Sequence, residues 1–379
     1  MKAGWKKKTL DEACCFSNGL WKGNKAPFVN VGVIRNTNFT KEGTLDDSDI
    51  AYLDVELKKF EKRRLRFGDI ILEKSGGGPK QPVGRVALFD KTEGEFSFSN
   101  FTSAIRVRDN QELDFRFLHN FLYWTYISGV TEGMQSHSTG IRNLDGNAYK
   151  GIKIAFPPLP EQQRIVGILD QAFAGIATAK ANAEKNLQNA RALFESHLNG
   201  IDAAKVPLGD LVNITTGKLD ANAAVENGQY PFFTCSREVY AINNFSFDCE
   251  AILLAGNNAV GDFNVKHYKG KFNAYQRTYV ITVNEKQLAM YRFLYFQMLK
   301  SLKKFKQQSV GAGTKFLKLG IIKGMEISLP NIGEQEQIVS TMDSLRKQTD
   351  SLESIYQQKL TALDELKKAL LHQAFSGQL

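Results

Sequence analysis

Cysteine is scarce in this chain of 379 residues: the adjacent pair Cys14 and Cys15, then Cys235 and Cys249. No two are separated by the two residues of a zinc knuckle or a redox pair, so free structural thiols in a reducing compartment are expected. Histidine is scarcer than usual for a metalloprotein; His119, His137, His197, His267 and His372 are scattered, none at ligand spacing, and no metal site is expected. No run of about 18 apolar residues occurs, which argues against a helix spanning a bilayer. The N-terminal MKAGWKKKTLDEACC is basic but lacks the apolar stretch of a signal peptide, so a cytoplasmic, non-membrane protein is expected. Catalytic signatures are thin as well. Gly311-Ala312-Gly313-Thr314-Lys315 is rich in glycine, but a phosphate loop needs Lys before Thr and a longer glycine spacing. Pro157-Pro158 follows Phe156 and precedes Leu159, so the Asn or Asp with which an amino-methyltransferase grips its target amine is missing. Asp49, Glu56 and Lys58 have the residue types of a nuclease triad at a spacing that is common by chance.

What is present is a repeat. Pro157–Val166 reads PPLPEQQRIV and Leu329–Val339 reads LPNIGEQEQIV, with Glu161 and Glu334 offset by 173 residues. In each, a strand-like segment (Ile152–Phe156, Met325–Leu329) meets a proline stop and then a long helix-forming run. The runs end alike, Ala192–Gly200 as ALFESHLNG and Ala369–Gly377 as ALLHQAFSG, at offset 177; the second run is thus four residues longer. The starts also match: Thr9–Gly19 parallels Pro207–Gly217 at offset 198. Between these flanks the halves share an order of elements more than a sequence. Strand-like Phe28–Ile34, Gly68–Lys74, Arg85–Phe89 and Ser103–Arg108 precede a helix-like Glu112–Ile127; Tyr230–Cys235, Glu250–Ala255, Asp262–Tyr268 and Arg277–Val283 precede a helix-like Glu285–Phe305. The organisation read from this is a module over 1–157, a long helix over 158–202, a second module over 203–330 and a second long helix over 331–379.

The first helical run places Ile165, Leu169, Phe173, Ile176, Ala183, Leu187, Ala190 and Phe194 on one stripe. The second offers Ile338, Met342, Leu345, Leu352, Tyr356, Leu363, Leu366 and Leu370, with Thr349 and Lys359 as imperfect members. A helix of about 40 residues is roughly 60 Å long, too long for one narrow stripe to be buried in a small globular core. A two-helix coiled-coil arm is expected. Charge follows the same division. Residues 1–160 carry net +5 and 205–330 net +7, while 161–204 carry −1 and 331–379 carry −2, of a total of +9. Basic heads on a slightly acidic arm suit nucleic acid on the heads and protein on the arm.

PPLPEQQRIVGILD (Pro157–Asp170), its echo EQEQIVSTMD (Glu334–Asp343) and the C-terminal LLHQAFSGQL (Leu370–Leu379) resemble the repeated regions of type I restriction–modification specificity subunits. In the second junction, Asn331-Ile332-Gly333 replaces the tighter proline run. The resemblance extends along the whole chain and implies an α+β protein. Two α/β target-recognition domains in tandem would be related by a pseudo-twofold and joined by two long antiparallel helices. Each domain would read half of a split, asymmetric site in double-stranded DNA. The helices would hold two methyltransferase subunits, through junctions at Glu161, Gln162, Glu334 and Gln335, and restriction–translocase subunits would join. The chain itself would be non-catalytic and hold no cofactor; S-adenosylmethionine, ATP and Mg would belong to the partners. A specificity subunit of a type IIB system fits the same residues, and a catalytic restriction–modification subunit is the alternative of another class.

Base readout needs Arg or Lys for guanine and Asn or Gln for adenine, and phosphate contacts need basic and hydroxyl groups on loops. In the first module the polar loops offer Lys74, Ser75, Lys80 and Gln81, then Ser138, Thr139, Arg142 and Asn143. In the second, Asn257, Asn258, Asn273, Tyr275, Gln276 and Arg277 are the counterparts, with a basic run of Lys303, Lys304 and Lys306 expected to touch phosphate or to be the solvated face of a helix.

If the arm sets the gap between half-sites, its length changes in units the helix dictates. Inserting four residues near Ala181–Ala183 adds about 6 Å of rise and a net rotation of about 40°. A base pair advances about 3.4 Å and turns about 34°. The rotation matches one base pair, and phasing on the groove is the stricter demand. The expected outcome is a spacer one base pair longer with both half-sites unchanged, read by methylome sequencing; an active variant with the original spacing would show that the arm does not set the distance.

Overall fold

The computed structural model describes residues 4–20, 23–78, 81–138, 141–201 and 203–379, His137 and Ser138 by backbone alone. The chain divides into two compact units, residues 1–182 with 359–379 and residues 183–358. Neither long helix belongs to a single unit, so the compact units do not follow the sequence order of module, helix, module, helix.

In the first unit the strand Cys14–Asn18 pairs with Thr102–Val107, which pairs with Ile70–Glu73, which pairs with Val86–Leu88, all antiparallel. A second sheet sets Phe28–Ile34 between Ala51–Glu56 and, in parallel, Phe96–Phe98. In the second unit six strands form one sheet in the order Val212–Thr216, Thr278–Val283, Phe247–Ala255, Val265–Ala274, Tyr230–Phe233 and Tyr240–Ile242; Tyr230–Phe233 runs parallel to Val265–Ala274. The strand expected over Asp262–Tyr268 begins three residues later and runs on to Ala274.

The repeat is visible in backbone bonds. Leu10 N–H donates to Ile152 O at 2.9 Å and Leu208 N–H to Met325 O at 2.8 Å, closing each module's first strand onto its last. Lys6–Thr9 pairs with Lys153–Phe156, and Lys205–Pro207 with Glu326–Ser328. Gly19 and Gly217 are equivalent too: a Cβ on Gly19 would stand 1.7 Å from Ser99 O, and one on Gly217 would stand 1.8 Å from Ala274 O. Only glycine allows a neighbouring backbone so close. The longest helix of each module lies in its core. Phe115–Ile127 starts at Asp114, whose carboxylate accepts from the Arg116 and Phe117 N–H groups, and it buries Phe117, Leu118, Phe121 and Leu122. Tyr291–Gln308 buries Phe293, Leu294, Phe296 and Met298.

The long helices span Leu159–Asn199 and Ile332–Ser376. On the first, protected positions alternate in steps of four and three through Gln162, Val166, Leu169, Phe173, Ile176, Lys180, Ala183, Leu187, Ala190 and Phe194. On the second the same alternation runs through Gln335, Val339, Met342, Arg346, Thr349, Glu353, Tyr356, Leu360, Leu363, Lys367, Leu370 and Ala374. This is the heptad of a left-handed helix pair. Its direction is antiparallel. In the first unit Lys180 meets Asp364, and in the second Arg191 Nε lies 2.6 Å from Glu353.

Two expectations need correction. Leu352 and Leu366 are not seam residues; they are 38% and 47% exposed. The true register passes through Glu353 and Lys367, whose aliphatic stems lie in the seam while their charged ends find partners, so a reading based on apolar residues alone slips past them. Nor are the helices only an arm. Ile165, Val166 and Leu169 share the first core with Leu371 and Ala374, and Leu198 and Met342 belong to the second. The ends of both helices are core elements of the domains.

Leu371→Ala should therefore cost about 2–5 kcal/mol, the range for a buried leucine. Leu366→Ala should change stability by no more than about 0.5 kcal/mol. Urea unfolding of the full chain checks both, and equal costs would refute the register.

Candidate nucleic-acid interface and the helix junctions

Both junctions are built around a buried amide. Gln162 is fully buried; its Nε2 donates to Glu112 O and Pro157 O, each at 2.8 Å, and its Oε1 accepts from Asp114 N–H at 2.8 Å. Gln335, also fully buried, donates to Leu288 O at 2.8 Å and Pro330 O at 2.9 Å and accepts from Met290 N–H at 2.9 Å. Asp114 and Met290 are the residues that begin each module's helix. One side chain thus ties the long helix, the proline stop and the module helix together. Glu161 pairs with Arg164 at 2.7 Å in the first turn. Glu334 accepts from Asn331 N–H at 3.2 Å while Asn331 Oδ1 accepts from Glu334 N–H at 3.0 Å, a reciprocal cap that explains the Asn-Ile-Gly departure in the second junction.

The polar loops of the first module join into one sheet. Ser75–Gly77 pairs with Ile141–Leu144, which forms a hairpin with Gln135–Ser138. Ser75 Oγ donates to Asn143 Oδ1 at 2.6 Å, Lys74 Nζ to Asn18 Oδ1 at 2.9 Å, and Arg142 to Gln135 at 3.5 Å. Burial holds the Lys74 ammonium below the ordinary lysine value. Gly76 has φ +102°, and a Cβ there would stand 3.0 Å from the Asn36 amide, so this irregular point of the strand requires glycine. Beneath it Glu73, 1% exposed, takes both arms of Arg85 at 2.7 and 2.9 Å. The Gln81 amide lies against the same guanidinium, where its oxygen and not its nitrogen could accept from Arg85. Ser138 enters the hairpin opposite Ile141; Lys80 and Thr139 lie outside the described residues.

The second module repeats the plan. Asn257 and Asn258 pair with Phe316 and Lys315. Arg277 is exposed, its guanidinium 5.9 Å from the Phe316 ring, and its carbonyl accepts from Gly256 N–H at 2.8 Å. Tyr275 is half-buried, and Gln276 is exposed and bonded to Asp220. Asn258 and Asn273 have structural partners. Asn258 Oδ1 accepts from Val260 and Asp262 N–H, and Asn273, 2% exposed, donates to Asn244 Oδ1 at 3.0 Å. The basic run splits. Lys303 reaches Glu195 on the long helix at 3.1 Å, Lys304 is exposed, and Lys306 lies beside Gly261.

Sequence reasoning missed Lys315 and Phe316. The signal was available: the 173-residue offset continues upstream through Gly140 and Gly313, Arg142 and Lys315, Leu144 and Leu317, and Gly151 and Gly324. Arg142 and Lys315 are the basic residues at equivalent positions of two equivalent pairings.

Two α+β domains in tandem, each locked to a shared pair of antiparallel helices, define the class. A family model for the type I restriction modification DNA specificity domain matches residues 2–188 and again 201–362. The chain belongs to this family and carries its domain twice. It is 42% identical over 179 residues to the type I restriction enzyme EcoDI specificity subunit of Escherichia coli, a match covering 47% of this chain and 39% of that protein's length. The StySPI specificity subunit of Salmonella potsdam is 24% identical over 395 residues, covering 92% of this chain and 82% of that protein. A chain from a type I R-M system, solved for its complex assembly and conformational transition, superposes with a TM-score of 0.79 at 17% identity, covering 100% and 99% of the two chains. The HsdS subunit from Thermoanaerobacter tengcongensis gives 0.59 at 16% identity, covering 100% and 98%. These two likenesses bear on the fold.

Gln162→Ala and Gln335→Ala each strand two carbonyls and one N–H. A buried unsatisfied group costs about 1–3 kcal/mol, so each variant should lose at least about 2 kcal/mol in urea unfolding of the full chain. A loss below about 0.5 kcal/mol would mean that the amides do not hold the junctions.

Proposed function

We propose that the chain is the DNA-specificity subunit of a type I restriction–modification complex and is itself non-catalytic. Each domain reads one half of a bipartite, asymmetric DNA site. The paired helices hold two methyltransferase subunits and, for restriction, translocase subunits. S-adenosylmethionine, ATP and Mg belong to those partners. The observation that carries the reading is the duplication with divergence. In both modules a short segment just after a sheet strand pairs with a distant segment that carries a basic residue at the same place, Arg142 and Lys315, while the residues around it differ. The heads hold all the excess positive charge, as phosphate binding requires.

Replacing residues 205–330 by the corresponding module of a relative should change one half-site and leave the other intact in the methylome; alteration of both halves would overturn modular reading. In the assembled complex, Lys315→Ala should flatten the slope of log K against log salt by about 0.9 if it neutralises one phosphate. Lys303→Ala should leave it unchanged, because Lys303 is engaged by Glu195.

A further inference from the structure

The second unit contains a cavity of about 410 Å³ whose lining includes Arg237, Lys266, His267, Arg292, Tyr295 and Arg346. Among the described residues no carboxylate lines it. The basic groups arrive from four separate places: a loop, the strand Val265–Ala274, the helix Tyr291–Gln308 and the long helix Ile332–Ser376. Like charges from four elements repel unless something holds them. Here the carboxylates that hold them lie outside the lining. Arg237 is bound by Asp262 at 2.7 Å, His267 by Glu250 at 2.9 Å, and Arg292 Nε by Asp343 at 2.8 Å. Arg346 donates to Tyr295 Oη at 2.6 Å, and Arg292 lies 4.9 Å from the Tyr295 ring. Lys266 gives two of its three hydrogens, at 2.6 Å each, to Ser236 O and Asn264 Oδ1. Burial and the nearby Arg237 both push the Lys266 ammonium below its usual value, a cost that an anion in the cavity would relieve. A guanidinium has five N–H donors, and a carboxylate on one side leaves others for a ligand on the far side.

The first unit shows that the fold does not need this arrangement. At the 173-residue offset Arg346 corresponds to Phe173. At the offset of the module helices, fixed by Asp114 and Met290, Tyr295 corresponds to His119. His119 is buried against Gly43 O at 2.8 Å, and Phe173 packs under Lys367 at 4.9 Å. The equivalent place in the first copy thus holds Phe173, a buried His119 and a single ammonium, Lys367, stacked on rings, whereas the second copy gathers several basic groups around a cavity. We propose that this cavity is a phosphate-binding site, taking a phosphate group from a nucleic-acid backbone or from a free phosphate-bearing ligand.

The inference does not depend on the proposed DNA readout, because the full chain alone can be titrated with pyrophosphate at low salt. One saturable site per chain is expected. Losing one charge-assisted bond is worth about tenfold or more in affinity. Lys266→Met on the strand, Arg346→Gln on the long helix and the surface change Arg237→Gln should each weaken binding by about that factor, with thermal melts confirming folding. The exposed Lys323→Gln should leave affinity unchanged. Absence of saturable uptake by the wild-type chain, or equal losses in Lys323→Gln, would overturn the proposal, as would wild-type affinity in the folded Arg237 and Arg346 variants. The source follows from adding a target duplex. Displacement of pyrophosphate, with a salt slope lower by about 0.9 in the variants, assigns the site to a backbone phosphate. Retention of pyrophosphate beside bound duplex assigns it to a free ligand.

Discussion

A primary amide donates and accepts at once, so a single buried glutamine can bond two carbonyls and an N–H without leaving a group unpaired. Gln162 and Gln335 do this at the two points where a long helix leaves a module. Each is also the first member of the heptad that runs down its helix. The bond that fixes the module helix therefore also fixes the rotational phase of the arm. A shorter Asn would not span the distance, and a Glu would bring a second acceptor to two carbonyls. The modules are free to diverge because the frame is set by three bonds that use main-chain groups of the module and none of its side chains.

The repeat and both long helices were legible because duplication leaves offsets that survive divergence and because heptads are periodic; their antiparallel direction was implied by the family resemblance alone, since a heptad does not fix direction. The exact seam was less so. Arg346, Glu353 and Lys367 occupy seam positions with polar residues, and a search for apolar spacing drifts to Leu352 and Leu366. The candidate site was legible as loops and not as partners. That Ser75 faces Asn143 across 68 residues, or that Arg277 lies by Phe316, depends on strand pairing between distant segments. Asn258 and Asn273 have the side chains of adenine readers but bond to neighbouring groups of their own module; such partners, which a sequence does not display, separate the two uses.

The modules support their equivalent loops in different ways. In the first, the buried carboxylate of Glu73 is matched by a bidentate arginine and an asparagine. A pair so satisfied fixes loop geometry, whereas removal of one partner would leave a charge buried. In the second, the corresponding strand end is Ala255, and Asn257–Asn258 is held by its pairing with Lys315–Phe316 and by Arg277 over Phe316. Loops with such different supports can hold different side chains without sharing compensations, which is what independent drift of two readers requires.

The division of the long helices between the units has a consequence for synthesis. The first core is completed by Leu371, Ala374 and Phe375, whose ring contacts Phe117, Phe121 and Trp124 at 5.3, 5.4 and 5.7 Å. Those residues are made only after every residue of the second unit, 183–358. The half of the protein translated first is thus the half that finishes folding last. Until those turns of the second helix arrive, Phe117, Phe121 and Trp124 lack the Phe375 ring, and the nascent chain carries that uncovered patch while the whole of the second unit is made.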